Sequence, residues 1–482
     1  MRNNGSMSRP VALLLAISAI GILLRFAAID RSYWFDELAT VVGIDAPDWQ
    51  AVLHFTATDN QPPLYNSMAF AWTRAFGFSE FAVRSLSLIV GLAALFTPWL
   101  ARKSLTRSGK LLNFLVLCLM PLPIRYAQEA RNYSLLFLLS SVCLYSYYEI
   151  IVTKNRRLQI LFHASLLALA FTHLFGLLLA VSFLAVMFWR ERRATWRLGL
   201  VVYAAALSAA VVVPLLHGGS GKYAGGNFWI TFSAASLGVQ LLKVFTPVGL
   251  VLLAVAMVMW WRDPKRPQFD PRLAQVLIPF GLMLGGAILI SLNTPILTER
   301  NLIGLTPAYA LLTVWFIQHV DSPKLTTVAY GLLCLLLVQS VALTYSPYLF
   351  IQQNFRSIAE HSIATNSKVC YVVPFGNKDD KLPEHIYSFY ITKIFHRPDL
   401  VPELMRPADV PQDPAAAGCN LWAAAALPKG GTSLLRTFPQ FARCADVSPR
   451  LARDSSARAG GKLPLRDFRR LLLNRERTGG LP

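Results

Sequence analysis

Apolar runs of near-spanning length recur along the first 344 residues, each ended by a short polar break. The pattern predicts membrane helices over residues 11–29, 84–101, 111–124, 133–152, 158–172, 174–189, 198–216, 238–261, 273–291, 302–319 and 325–344. These are eleven spans. The pattern changes twice. Between residues 30 and 83 polar and aromatic positions mix, two adjacent prolines (Pro62, Pro63) force a turn, and residues 64–76 read as an amphipathic helix suited to a membrane surface. After residue 344 the chain is mixed in composition and rich in proline. There Lys368–Pro374 and Asn420–Ala423 predict buried strands, and 384–395 predicts a helix. Residues 1–344 are therefore expected to form a transmembrane domain, 345–450 a small external α/β domain, and 451–482 a basic tail.

Composition supports the membrane reading. Hydrophobic residues make up 54% of the 482 and charged residues 15%, too few charges for a soluble surface of this size. The net charge of +20 raises nucleic acid as a partner. Its distribution argues otherwise. With eleven spans the loops alternate between two sides. One side collects the N-terminus and the loops 102–110, 153–157, 190–197, 262–272 and 320–324, with eighteen Lys and Arg; the other, up to residue 344, has six. The first side is cytoplasmic by the positive-inside rule, so the charge reads as topology. The first span reads as an uncleaved anchor, because Phe26 stands where a signal-peptide cleavage site wants a small residue. An odd number of spans puts the C-terminus outside. Cys118, Cys143 and Cys334 fall in spans; of Cys370, Cys419 and Cys444 outside, the expected disulfide joins Cys419 to Cys444.

Candidate chemistry gathers in the segments assigned to the outer side. Asp36 and Glu37 follow Tyr33, Trp34 and Phe35 just after the first span. Two carboxylates near lipid are costly to desolvate unless they are paired or useful. Arg125, Glu129 and Arg131 stand between two spans. Glu129 either pairs with Arg125 at i, i+4 or shares an anion site, since arginine binds phosphate through bidentate, charge-assisted hydrogen bonds. Thr298-Glu299-Arg300-Asn301 repeats the theme, and Lys222 stands in a glycine-rich loop without the ending of a nucleotide P-loop. No ATP-binding motif lies on the cytoplasmic side, so a reaction here needs an activated substrate. A lipid-phosphate sugar is one.

Four segments then carry a family resemblance. Phe35-Asp36-Glu37, Gln61-Pro62-Pro63-Leu64-Tyr65, Phe81-Ala82-Val83-Arg84-Ser85-Leu86-Ser87 and Arg125–Leu135 resemble, in order and spacing, the protein mannosyltransferase and aminoarabinose transferase group of GT-C membrane glycosyltransferases. The match is specific over residues 30–135 and mainly topological from there to 320. It implies a polytopic α-helical GT-C fold and an inverting glycosyltransferase, a hexosyl- or pentosyltransferase, that moves a sugar from a polyprenyl-phosphate donor to an acceptor hydroxyl on the outer face of a bacterial inner membrane. Asp36 takes the position of the catalytic base, Glu37 assists or orients, and Glu129 matches a second acidic position. Arg125, Arg131, Arg300, Gln61, Tyr126, Tyr133 and Lys222 are the candidate donor-phosphate contacts. Gln61 departs from the Lys or His that relatives often carry. No cofactor is implied as required and no metal ligands are assigned; some members bind a divalent metal, but His54, His173 and His217 have no ligand spacing. Two other readings compete: a transporter or flippase for lipid-linked sugars, and a non-catalytic protein of cell-envelope assembly that keeps the fold.

Overall fold

A computed structural model describes residues 8–59, 61–219, 232–320, 323–344, 355–372, 382–405, 421–424 and 441–443. From the N-terminus the helices are α1 (Ser8–Leu23), α2 (Phe35–Ile44), α3 (Trp49–Thr58), α4 (Leu64–Phe76), α5 (Glu80–Leu95), α6 (Arg107–Leu119), α7 (Pro121–Tyr126), α8 (Tyr133–Thr153) and α9 (Arg156–Ala170). They continue with α10 (Leu174–Arg190), α11 (Ala194–Gly219), α12 (Ala234–Phe245), α13 (Pro247–Arg262), α14 (Pro271–Ser291), α15 (Thr306–Gln318), α16 (Pro323–Thr344), α17 (Phe355–Ala364) and α18 (Leu382–Phe389). Contacts divide the chain into two units. One holds Met1–Ile29, Ala46–Gly77 and Phe81–Ser346; the other holds Asp30–Asp45, Phe78–Glu80 and Pro347–Pro482.

The first unit is helical. Among the described residues five helical stretches are long and apolar enough to cross a membrane: Tyr133–Thr153, Ala194–Pro214, Pro271–Ser291, Arg300–Gln318 and Thr327–Thr344. The remaining apolar runs are shorter helices, and proline explains several of the cuts. It removes a backbone donor and clashes with the preceding turn. Pro98 sits in the 3-10 turn Thr97–Leu100 that ends α5, and Pro121 opens α7 after the break at Met120. The expected single span 238–261 is corrected. It is two helices, α12 and α13, bent by 83° at Thr246. A residue before proline is pushed out of the helical region. Thr246 takes φ 62°, and its Oγ1 accepts the Gly249 N–H at 3.1 Å, which starts the second helix afresh.

α1 packs closely on α6. A Cβ placed on Gly21 would lie 2.7 Å from the Cys118 carbonyl oxygen, so only glycine admits this approach. One turn on, the fully buried Arg25 donates to the carbonyls of Leu117 and Cys118, both at 3.0 Å. Arg84 is equally buried and donates to Ile29 O at 2.9 Å. Such carbonyl pairing lets a guanidinium lie inside a bundle, where no water reaches it.

The second unit is α/β. Its strands β1 (Val369–Val372), β2 (Glu403–Met405), β3 (Leu421–Ala424) and β4 (Phe441–Arg443) form, among the described residues, a parallel sheet in the order β2-β1-β3-β4. Cys370 faces Glu403 on one side and Trp422 on the other. α17 and α18 bring Phe355, Tyr371 and Tyr387 into ring contact, with Tyr371 and Tyr387 4.7 Å apart. Cys370 is disulfide-bonded while Cys118, Cys143 and Cys334 are free. The expected pairing of Cys419 with Cys444 falls outside the described residues.

Candidate active site

Three of the motif segments meet in the helical unit. Pro62 and Pro63 end the irregular stretch after α3, and the chain turns directly into α4, whose first N–H, at Leu64, donates to Phe171 O at 2.9 Å. From α4, Tyr65 shares a 2.8 Å hydroxyl hydrogen bond with Ser87 of α5. Ser87 Oγ in turn donates to Arg131 O at 3.4 Å. Gln61, just before the prolines, accepts from Asn132 Nδ2 at 3.4 Å, and the same amide donates to Thr172 O at 2.9 Å. The segments that resemble one family in sequence are thus bonded to one another in space.

At their meeting point is a cluster of arginine, carboxylate and tyrosine. Residues 127–132 form turns rather than helix. Across the first of these turns Arg125 Nε donates to Glu129 Oε1 at 3.1 Å, and Glu129 is buried. The i, i+4 pair foreseen from the sequence is present. It does not exhaust the arginine, which also feels the charge of Glu299 and stands over the Tyr126 ring at 5.3 Å. Tyr126 and Tyr133 pack at 4.7 Å, and Arg300 lies over Tyr133 at 5.9 Å, near the outer limit of a cation–π contact. Arg131 is 7% exposed. Gln128, between them, braces the turn by donating to Leu24 O and Ile124 O, both at 3.0 Å.

Four residues that were not among the candidate site residues join the cluster. Lys243 of α12 lies 3.8 Å from Glu299, whose N–H donates to Gln240 at 2.8 Å. The break at Thr246 keeps this helix separate from α13, so the lysine belongs to a helix end and not to the middle of a span. Glu299 and Asn301 flank Arg300 in a motif that the sequence did display. His173 is the fourth. Its Nδ1 accepts the Phe175 N–H at 3.0 Å, and its ring hydrogen-bonds the Asn301 side chain. Burial first, then the charges of Arg131 and Arg300, push its pKa down to about 3. The imidazole is therefore neutral, which also leaves Nδ1 able to accept. Four cations (Arg125, Arg131, Lys243, Arg300) gather with the carboxylates of Glu129 and Glu299. Among the described residues no group of three or more His, Cys, Asp or Glu is placed to hold a metal ion. Lys222 lies outside the described residues.

A pH dependence follows from His173. Its folded pKa is below its unfolded value of 6.5, so between about 6.5 and 3 the unfolded chain binds a proton that the folded chain refuses. Stability is lost as pH falls through that window. The melting temperature of the detergent-solubilised protein is expected to drop between pH 7 and 5, and to drop less in His173→Gln. Parallel curves for the two proteins would remove the buried neutral histidine.

Asp36 and Glu37 belong to the other unit, in the first turn of α2, where the helix dipole favours negative charge. They differ in kind. Glu37 is fully buried and its Oε2 accepts the Trp34 N–H at 3.2 Å, closing the helix start. Asp36 is half-buried, and its backbone carbonyl accepts from Thr40 Oγ1 at 3.3 Å.

No family model matches the chain, and no curated protein matches it. Solved structures do. The chain is similar to ArnT from Cupriavidus metallidurans in the apo state, at 14% identity over 74% of this chain and 71% of that one, with a TM-score of 0.50. It is also similar to the same protein bound to undecaprenyl phosphate, at 15% identity over 80% and 75%, with a TM-score of 0.47. The chain shares the helical membrane fold of ArnT. The GT-C resemblance read from residues 30–135 holds at the level of fold.

Proposed function

We propose that this protein is an inverting membrane glycosyltransferase that moves a sugar from a polyprenyl-phosphate donor to an acceptor hydroxyl on the outer face of the inner membrane. A shared fold carries no activity by itself. The observation that carries the reading is the convergence of four cations, Arg125, Arg131, Lys243 and Arg300, around the buried Tyr126 and Tyr133. Arginines grouped in this way suit a phosphate, and a phosphate at the end of an apolar chain is such a ligand for a membrane protein. Arg125, Arg131 and Arg300 are the donor-phosphate contacts, with Lys243 added by position. Tyr126 and Tyr133 supply the apolar floor, and Gln61 acts through Asn132. In the reaction the acceptor oxygen forms a bond to the anomeric carbon as the bond from that carbon to the phosphate oxygen breaks. The proton of the acceptor hydroxyl passes to the base, for which the family position is Asp36. Polyprenyl phosphate leaves, its charge held by the arginines. Location on the outer face is supported by the uneven distribution of Lys and Arg between the two sets of loops.

One observation favours transport instead: the broken pair α12 and α13. Transporters of that kind repeat the break in a second half, and among the described residues this is the one bent pair. The deciding experiment incubates the purified protein in lipid nanodiscs with polyprenyl-phosphate sugars and cell-envelope acceptors. Transfer with release of polyprenyl phosphate is expected. Movement of the intact lipid between leaflets without transfer would replace the enzyme by a flippase.

A further inference from the structure

The acidic helix α2 is held at both of its ends by the C-terminal part of the chain. Before its start, the backbone N–H of Tyr33 donates to Tyr390 Oη at 2.7 Å across 357 positions of sequence. Tyr390 Oη donates onward to Glu80 Oε1 at 2.8 Å, and Glu80 Oε2 pairs with Arg356 at 2.6 Å. Arg356 returns to the same strip, with its NH1 on Asp30 O at 3.2 Å and its backbone N–H on Ser32 Oγ at 3.2 Å. The Tyr33 hydroxyl donates to Phe78 O and Ser79 O at 3.1 and 3.0 Å, and its ring packs against Phe389 and Tyr390. At the other end, Lys393 Nζ reaches Asp45, the C-cap of α2, at 2.7 Å and lies over the Phe78 ring at 4.9 Å. Tyr390 and Glu80 are both at least 98% buried. Burial and the neighbouring carboxylate raise the tyrosine pKa well above its usual value, so its hydroxyl keeps the proton it donates.

We infer that Tyr390 and Lys393 are positioning residues, which act from the C-terminal domain to fix α2 and so set where Asp36 stands. The inference rests on the glycosyltransferase reading only for its effect on rate. A buried hydroxyl between a backbone N–H and an ionised pair is a rigid connector, and removing it takes one hydrogen bond from each of two groups in a dry place. A catalytic carboxylate misplaced by a fraction of an ångström loses rate before it loses substrate affinity. The C-terminal domain is on this view part of the frame of the acidic motif, and the first-loop motif is incomplete without residues three hundred positions later.

The test is hydrogen exchange with mass spectrometry on the full chain, combined with kinetics. Tyr390→Phe keeps the ring against Tyr33 and Phe389 and removes only the hydroxyl. Amides of Phe35–Ile44 are expected to exchange about tenfold faster, while the sheet exchanges as before. Transfer is expected to fall about tenfold in kcat with the donor KM unchanged. Lys393→Met serves as the second variant and loosens the other end of α2. Ser362→Ala is the control: it breaks a partly buried hydrogen bond to Ser367 O in the same unit and is expected to leave α2 exchange unchanged. Unaltered α2 exchange in both Tyr390→Phe and Lys393→Met, or the same acceleration in Ser362→Ala, overturns the inference. Exchange does not depend on turnover. A wild-type protein that transfers no sugar would sink the proposed reaction and leave the exchange result to decide this one.

Discussion

Replacing Asp36 with Asn is expected to abolish sugar transfer while leaving the protein folded and able to bind its donor. The amide keeps the side-chain shape but does not take the proton of an acceptor hydroxyl. Loss of a general base costs on the order of 10²–10⁴-fold in rate. The structure separates this residue from its neighbour in a way the sequence did not. Glu37 is fully buried and occupied with the Trp34 N–H, the work of a helix cap, whereas Asp36 is half-buried. Glu37→Gln retains a carbonyl oxygen for the same N–H, so it is expected to cost far less, mostly in stability and by about 0.5–2 kcal/mol. Initial rates and melting temperatures for the two variants distinguish the cases. An active Asp36→Asn beside a dead but folded Glu37→Gln would move the base to Glu37. Activity in both would make the first turn of α2 structural and direct attention to Glu129.

Arg131→Ala and Arg300→Ala are each expected to weaken binding of polyprenyl phosphate by about 10- to 150-fold. This is the equivalent of one charge-assisted contact of roughly 1.5–3 kcal/mol. Arg193→Ala, an exposed residue of the loop between α10 and α11, is expected to have no effect and serves as the reference. The two cluster variants differ in their side effects. Arg131 is buried, so its removal also costs stability, which a melting curve separates from binding. Arg300 has a tyrosine face at 5.9 Å, and its removal uncovers Tyr133. Lys243→Met is expected to fall between the extremes, because this lysine is partly exposed and already shares Glu299. Titration of nanodisc-embedded protein with short-chain polyprenyl phosphate, read by native mass spectrometry, measures all four. Equal affinities throughout would take the phosphate away from these side chains.

Local rules read from the sequence went far. The amphipathic pattern over 64–76 is the helix Leu64–Phe76, the run 368–374 contains the strand Val369–Val372, and the run 420–423 overlaps the strand Leu421–Ala424. Period and turn chemistry act within a few residues, so the sequence states them directly. Four motif segments were likewise legible as residue types in order. Three of them are now seen bonded to one another through Tyr65, Ser87, Asn132 and Gln61. Hydropathy averaged over 238–261 hid the break at Thr246, because an average does not register a single residue held out of the helix by the proline that follows.

What tertiary structure alone decided is which groups share a place. Lys243 falls inside the apolar run 238–261 and is the partner of Glu299; His173 has no ligand spacing and is a buried neutral acceptor beside two arginines. Asp36 and Glu37 are adjacent letters with opposite surroundings. Tyr390 carries no motif, yet it closes a network that begins at Tyr33 and runs through Glu80 to Arg356. Each of these depends on contacts between residues tens to hundreds of positions apart. Such contacts are set by how helices of given length and breakage pack, and neither composition nor periodicity records that. The sequence by itself determined a helical membrane protein with acids and arginines in its polar segments. Packing determined which acid is half-buried, which one caps a helix, and which cations gather around the buried tyrosines.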